Sequence, residues 1–407
     1  MGLDPIPAGS RAGVYALEDH VRASLRMARL LLDEVLDARF SADDSSAHAK
    51  LASKAGGEMA MLLRVARRAL HSDSDLALVD GLAHDLAPLA RSPQMRRSLL
   101  LRPSRAPMYS LAHLCLTELG HPDPEVDRLA RRALRSSVCW ANERVPYRIL
   151  DAAWTRHVAF GDDELHHAAL TMSPLGTGVD LLEATTEDAY AFTHALPYAT
   201  DFGRLPLPDN VDRQMLLQTA EAIAVKALDE DDLDLLAEVL MAPAVLRAEW
   251  TPVLTFAWRV LERVWIEHGF VPGPGLPAAP AQESRVQEVR RVLGTVYHTT
   301  FAAGLCAATL ISCNRRPTAF KPQDARQTEL PPGKGSEWKT NWRTSSDEER
   351  EALNFISLAF RLRRAVETAD FVQVRTVTLE AAETLLMEHA LFLQSLELLE
   401  RVGDLTH

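Results

Sequence analysis

Apolar residues recur along this chain at spacings of three and four, and no convincing run of period-two alternation stands before residue 370, so burying them calls for packed amphipathic helices. The opening stretch sets the pattern. Val14, Leu17, Val21, Leu25, Ala28, Leu32 and Val35 fall on one face of a helix expected over 11–40. Further helices are expected at about 46–71, 74–91, 107–119, 124–142, 209–228, 230–241, 248–268 and 283–312. Breakers separate them, among them Ser92-Pro93, Pro103 to Pro107, Gly120-His121-Pro122-Asp123-Pro124 and the Gly/Pro stretch from Gly269 to Pro280. Two C-terminal helices are expected at about 346–368 and 370–402, with the β-branched run Phe371 to Val377 read as a patch inside the second.

A weak internal repeat runs through the first half. Leu111-Ala-His113-Leu-Cys-Leu116-Thr117 and Leu165-His-His167-Ala-Ala-Leu170-Thr171 share Leu, His, Leu and Thr at identical offsets, with a fainter copy at Leu82-Ala-His84. Acidic loops recur near helix starts, at Asp123-Pro-Glu125 and Asp162-Asp-Glu164. The fold class is therefore all-α, a helical-hairpin repeat protein. The looseness of the repeat favours a closed α/α toroid (barrel) over the alternative, an open α-solenoid. The expected division is N-terminal hairpins over 1–150, central helices over 151–312, a long loop or lid over 313–346 and a C-terminal helical pair over 347–407. In the long loop Trp338 and Trp342 stand among Pro317, Pro322, Pro331-Pro332 and Gly333-Lys-Gly335, which points to a lid or a partner contact.

Composition excludes several classes of function. With 47% hydrophobic and 25% charged residues in 407, the chain is an ordinary globular one, and a net charge of -12 argues against a nucleic-acid surface. No basic segment followed by an apolar run opens the chain and no window is long enough to span a bilayer, so a cytoplasmic protein without a membrane partner is expected. Cys115, Cys139, Cys306 and Cys313 form no Cys-x-x-Cys pair and read as buried thiols. No phosphate loop, dinucleotide fingerprint, Gly-x-Ser-x-Gly or Cys-nucleophile motif is present. Asp229-Glu-Asp-Asp232 reads as a solvated helix start rather than a metal-binding carboxylate run.

Most of the reactive side chains converge on residues 190–203. On one helix Tyr190, His194, Tyr198 and Asp201 form a single polar stripe opposite Ala189, Phe192, Leu196 and Ala199, and Pro197 is expected to kink or stop the helix beside His194. His194 is the candidate general acid or base, with Asp201 orienting it and Tyr198 donating a hydrogen bond. His167 and His298 are the candidate opposing groups, and Tyr190, Thr200, His166 and Tyr297 candidate substrate contacts. The competing reading is that these are core polar groups satisfied by their neighbours. A metal set of His166 or His167 with His194, Asp201 and His298 is weighed, but no His-x-x-x-His or Glu-x-x-His pair puts two ligands on one helical face, so neither metal nor other cofactor is assigned.

At Tyr190-x-x-Thr-His194-x-x-x-Tyr198-x-Thr-Asp201-Phe-Gly203 and at Tyr297-His298-Thr-Thr-Phe-Ala-Ala-Gly304 the chain resembles a poorly characterised actinobacterial all-helical family, a domain of unknown function. The resembling stretch lies between 160 and 310. The resemblance implies a setting in bacterial specialised metabolism and carries no established catalytic residues. Two readings follow. One is a small-molecule enzyme performing acid-base chemistry in a helical cavity, a cyclase or lyase without redox cofactor. The other is a non-catalytic scaffold or partner subunit of a biosynthetic enzyme, in a homo- or hetero-oligomer.

Overall fold

Proline and capping side chains set the helix starts. In the computed structural model, which describes residues 16–33, 46–140, 143–161, 164–273, 285–317, 329–384 and 386–404, helices and short turns make up the chain and no strand occurs among these residues. Helix α1 (Leu17–Leu31) precedes α2 (Ser46–Ala69), α3 (Asp73–Ala90), α4 (Pro93–Leu101), α5 (Ala106–Glu118) and α6 (Pro124–Arg135). Ser72 caps α3 and Asp123 caps α6, each accepting from a backbone N–H of the first turn, and Pro124 occupies a position whose N–H would be unsatisfied anyway.

The middle of the chain carries α7 (Pro146–Phe160), α8 (Glu164–Met172), α9 (Pro174–Thr177), α10 (Thr186–Thr200), α11 (Arg213–Glu230), α12 (Leu233–Val239), α13 (Ala242–Val245), α14 (Pro252–His268) and α15 (Arg285–Ser312). A reciprocal capping box between Thr185 and Asp188 starts α10, and Asp212 and Thr251 cap α11 and α14. Left-handed Gly161 and Gly269 end α7 and α14.

After α15 come α16 (Glu337–Thr344), α17 (Asp347–Ala352), α18 (Asn354–Glu367), α19 (Phe371–Glu383) and α20 (Ala390–Asp404). The expected C-terminal pair is thus four helices. Leu353, in a non-helical conformation, separates α17 from α18, and turns at Thr384 and 386–389 separate α19 from α20. Phe371 to Val377 is helical, as its pattern predicts. The expected helix over 124–142 stops at Arg135, where Ser136 turns extended before a short 3-10 turn. Expected residues 11–15 and 34–40 of the first helix lie outside the described residues, as do 318–328 of the long loop.

Packing brings distant segments together. Helix α15 lies against α1, α2 and α12; α2 lies against α5, α5 against α7, α7 against α10, and α10 against α12. One apolar core takes residues from Leu17 to Phe392, and a smaller one gathers Leu99, Tyr109, Leu134 and Cys139 under α4, α5 and α6. Cys115, Cys139 and Cys306 are buried as free thiols, as expected, and Cys313 is half-buried against Gly203. Gly203 has φ 81°, and an added Cβ there would run into the Cys313 sulfur, so this turn admits no side chain.

Among the described residues the copies of the Leu-x-His pattern share burial at their leucines but not at their histidines. Leu82, Leu111, Leu116 and Leu170 are buried, whereas His113 is buried and His84 and His167 are exposed. Trp338 and Trp342 are also core residues. Trp338 packs on Phe360 and Trp342, and Trp342 on Phe256, so they pin α16 to α14 and α18 rather than offering a docking surface. Asp229, expected in solvent, is 1% exposed, with Arg363 and Arg364 bound to its carboxylate.

Candidate functional site

Helices α2, α10, α12 and α15 meet around a cluster of ionisable side chains. On α15, His298 is held between two carboxylates: Nδ1 lies 3.1 Å from Glu58 Oε2 on α2, and Nε2 lies 3.3 Å from Asp234 Oδ2 on α12. Both ring nitrogens face acceptors, which favours the imidazolium. Burial works against that charge, but Asp234 and Glu58 outweigh it and raise the His298 pKa to about 10. Burial likewise pushes the Asp234 carboxyl up, and His298 and Tyr190 more than reverse it, leaving it below the usual carboxylate range.

Asp234 and Glu238 stand one turn apart on α12, hence on one face of that helix. From α10, Tyr190 donates its hydroxyl to Asp234 Oδ2 at 3.0 Å, and Thr193 donates to Glu238 Oε2 at 2.5 Å. His194 Nδ1 lies 2.7 Å from its own-helix carbonyl, Tyr190 O, and 3.5 Å from Glu238 Oε2. A carbonyl only accepts, so the proton of neutral His194 sits on Nδ1, and Nε2 is the nitrogen that takes up or releases a proton. Burial raises the Glu238 carboxyl, against the pull of His194. The rings of Tyr147, Tyr190 and Tyr198 surround His194 at 5.6, 5.8 and 6.5 Å between centroids.

The carboxylates are buried while the imidazoles reach the edge of the cluster. Asp234 and Glu238 are 4% and 7% exposed, but the side chains of His194 and His298 are 23% and 31% exposed, so the cluster meets solvent on its histidine side. Ligand atoms of Asp234, Glu238 and His298 all lie within 4.8 Å of one another.

Of the residues expected at the site, His194, Tyr190 and His298 come together here, and Tyr297 lies beside Glu58, its hydroxyl pushed up by burial and by that carboxylate. Asp201 does not. Helix α10 runs through Pro197 and ends only at Thr200, and Asp201 is its left-handed C-cap at φ 48°, so its side chain leaves the stripe that a continued helix would have placed beside His194. It instead binds Arg64 at 2.5 and 3.0 Å and Trp154 Nε1 at 3.0 Å. The carboxylate that faces His194 is instead that of Glu238, 3.5 Å from Nδ1. Tyr198 is buried against the Trp154 ring, 5.1 Å between centroids, and Thr200 closes the helix end by bonding Leu196 O and the Gly203 N–H. His167 is exposed on α8, outside the four helices of the cluster, and the side chain of His166 lies outside the described residues.

Sequence reasoning missed Glu58, Thr193, Asp234 and Glu238. Two of them carried a signal: in Leu233-Asp-Leu-Leu-Ala-Glu-Val239 an i, i+4 carboxylate pair interrupts an otherwise apolar helix, all of it buried.

A family model described as a domain of unknown function, DUF6895, matches residues 24–308. The chain belongs to this family. The matched span contains α2, α10 and α12 entire and α15 as far as Ala308, so every residue of the cluster falls inside the DUF6895 domain, whereas α16 to α20 lie beyond it. No curated protein and no solved structure matches the chain significantly. No described helix is long and apolar enough to cross a membrane.

Proposed function

We propose that this DUF6895 protein is a small-molecule enzyme whose reaction centre is the His194–Glu238–Asp234–His298 cluster, working by proton transfer in a cyclisation or elimination of bacterial specialised metabolism. The observation that carries the reading is one histidine clamped between carboxylates of two other helices, beside a second whose Nδ1 is taken by a backbone carbonyl, leaving Nε2 for proton exchange. In this reading His194 is the general acid or base and Glu238 steadies its imidazolium. Tyr190 and Thr193 hold the two α12 carboxylates in place. The succession α15, α2, α5, α7, α10, α12 and back to α15 supports an α/α toroid, with the cluster where α10, α12 and α15 adjoin.

The test compares full-length protein with His194→Ala and Glu238→Gln, each shown helical by circular dichroism, against fractionated metabolite extracts read by mass spectrometry. A compound consumed by the wild type should be turned over roughly 10²–10⁴-fold more slowly by His194→Ala. Wild-type turnover by that variant would sink the assignment.

A second reading, a scaffold or partner subunit, draws on a different observation. The cluster's groups bond one another, and concavities lined by Leu181, Ile223 and Lys226 and by Arg128, Arg132 and Arg135 both lie away from it. This reading expects no compound to be consumed and His194→Ala to retain its partner.

A further inference from the structure

We infer that Asp234, Glu238 and His298 form a binding site for one divalent first-row transition ion, of the manganese, iron(II) or zinc class. The first ground is placement: two carboxylates one turn apart on α12 and an imidazole from α15 bring their ligand atoms within 4.8 Å of one another. Ligand atoms around a single ion with bonds of about 2.0–2.2 Å stand roughly 3–4 Å apart, so side-chain shifts of about 1–2 Å close the set.

Among the described residues Oδ1 of Asp234 meets no donor in hydrogen-bond geometry although the residue is 4% exposed, on the same carboxylate whose Oδ2 serves His298 and Tyr190 and on which the Thr299 hydroxyl also bears. A buried carboxylate oxygen left without a donor is costly unless something positive occupies it.

The third ground lies in the surroundings. Histidines that ligate metals commonly bond a carboxylate through the other ring nitrogen, and ligating carboxylates are themselves hydrogen-bonded. Here Glu58 takes His298 Nδ1, Tyr190 serves Asp234 and Thr193 serves Glu238. Each proposed ligand therefore has its outer partner, and Nε2 of His298 is the nitrogen turned to the ion. The imidazole favours a first-row transition ion over magnesium or calcium, which prefer oxygen alone. Three protein ligands leave coordination positions for water or a substrate oxygen, and His194, whose Nδ1 lies 3.5 Å from Glu238 Oε2, stands beside one of those ligands.

The inference rests on the proposed reaction centre only for what the ion would do there, since its test reads binding alone. Full-length, tag-free protein stripped with chelator is titrated with Mn2+ and with Zn2+ by calorimetry. One equivalent should bind, Asp234→Asn and Glu238→Gln should each weaken it at least 100-fold, Glu58→Gln about 10–100-fold, and His167→Ala not at all. Co2+-loaded wild-type protein should also show the paramagnetically shifted ring N–H of one histidine, a readout that needs no variant to fold. Absence of that signal, absence of stoichiometric binding, or binding that survives both α12 substitutions would overturn the site. Metal bound by a protein whose turnover ignores His194→Ala would instead sink the acid-base reading and leave the ion site standing.

Discussion

Arg64 on α2 grips both carboxylate oxygens of Asp201 at the end of α10, at 2.5 and 3.0 Å, and both residues are buried. Arg68, Glu118 and the Trp154 indole complete the network. This arrangement holds two consecutive left-handed residues, Asp201 and Phe202, at φ 48° and 56°, a conformation that non-glycine residues adopt at a cost. Removing one partner strands the other charge in the interior. Arg64→Ala should therefore lower unfolding stability by about 3–5 kcal/mol, read from urea denaturation, while leaving the geometry around His298 intact. A loss within the error of the measurement would show that the pair does not hold the end of α10.

The same pair sets an acid limit. Burial pushes the Asp201 carboxyl up, and Arg64, Arg68 and Trp154 outweigh it, so its folded pKa lies below the ordinary 3.8. A depressed carboxyl contributes stability that is present above the unfolded value and is lost as pH falls through the folded one. Urea midpoints taken from about pH 6 down to about pH 2.5 should fall in the wild type, and Asp201→Asn, already destabilised, should show a shallower fall over the same window.

The contrast between Asp201 and Asp234 shows where sequence reading reaches its limit. Apolar spacing is a local property of the chain, which is why α2, α3, α5, α14 and α15 stand close to their expected ranges. The stripe through Tyr190 and His194 is local too, and it does lead into the cluster. Whether Asp201 shares that stripe depends on where α10 stops, and there its carboxylate meets Arg64, 137 positions away. Glu58, Asp234 and His298 meet only because α2, α12 and α15 pack together, a relationship with no local signature. Trp338 and Trp342 were legible as special but not as core, since a Pro/Gly-rich flank looks alike whether it covers a partner or its own chain.

Trp338 sits in the core between α16 and α18. It is fully buried, its ring 5.3 Å from that of Phe360 and 6.2 Å from that of Trp342, and a Cβ added at Gly333 would press into the Phe360 and Trp338 rings. Trp338→Ala should cost about 3–5 kcal/mol by chemical denaturation. Trp338→Phe should cost distinctly less, because among the described residues the indole N–H makes no hydrogen bond that the change could remove. If both variants match the wild type in stability, the 329–344 segment is not part of the core.

His298 gives the sharpest electrostatic prediction for the metal-free protein. Glu58 and Asp234 face its two nitrogens, with Glu238, Tyr190 and Tyr297 around them, and its pKa is raised to about 10. A histidine raised in the folded state contributes stability that is fully present below the unfolded value near 6.5 and is lost as pH climbs through the folded one. Two-dimensional 15N NMR of the imidazoles should therefore show His298 with both nitrogens protonated at pH 8, where an ordinary histidine is neutral. Glu58→Gln removes one of the two facing charges and should bring the titration down toward neutrality, while Asp234→Asn should do the same from the opposite nitrogen. A His298 that titrates near 6.5 in the wild type would mean that the two carboxylates do not clamp it, and the pairing of α2, α12 and α15 at this point would have to be redrawn.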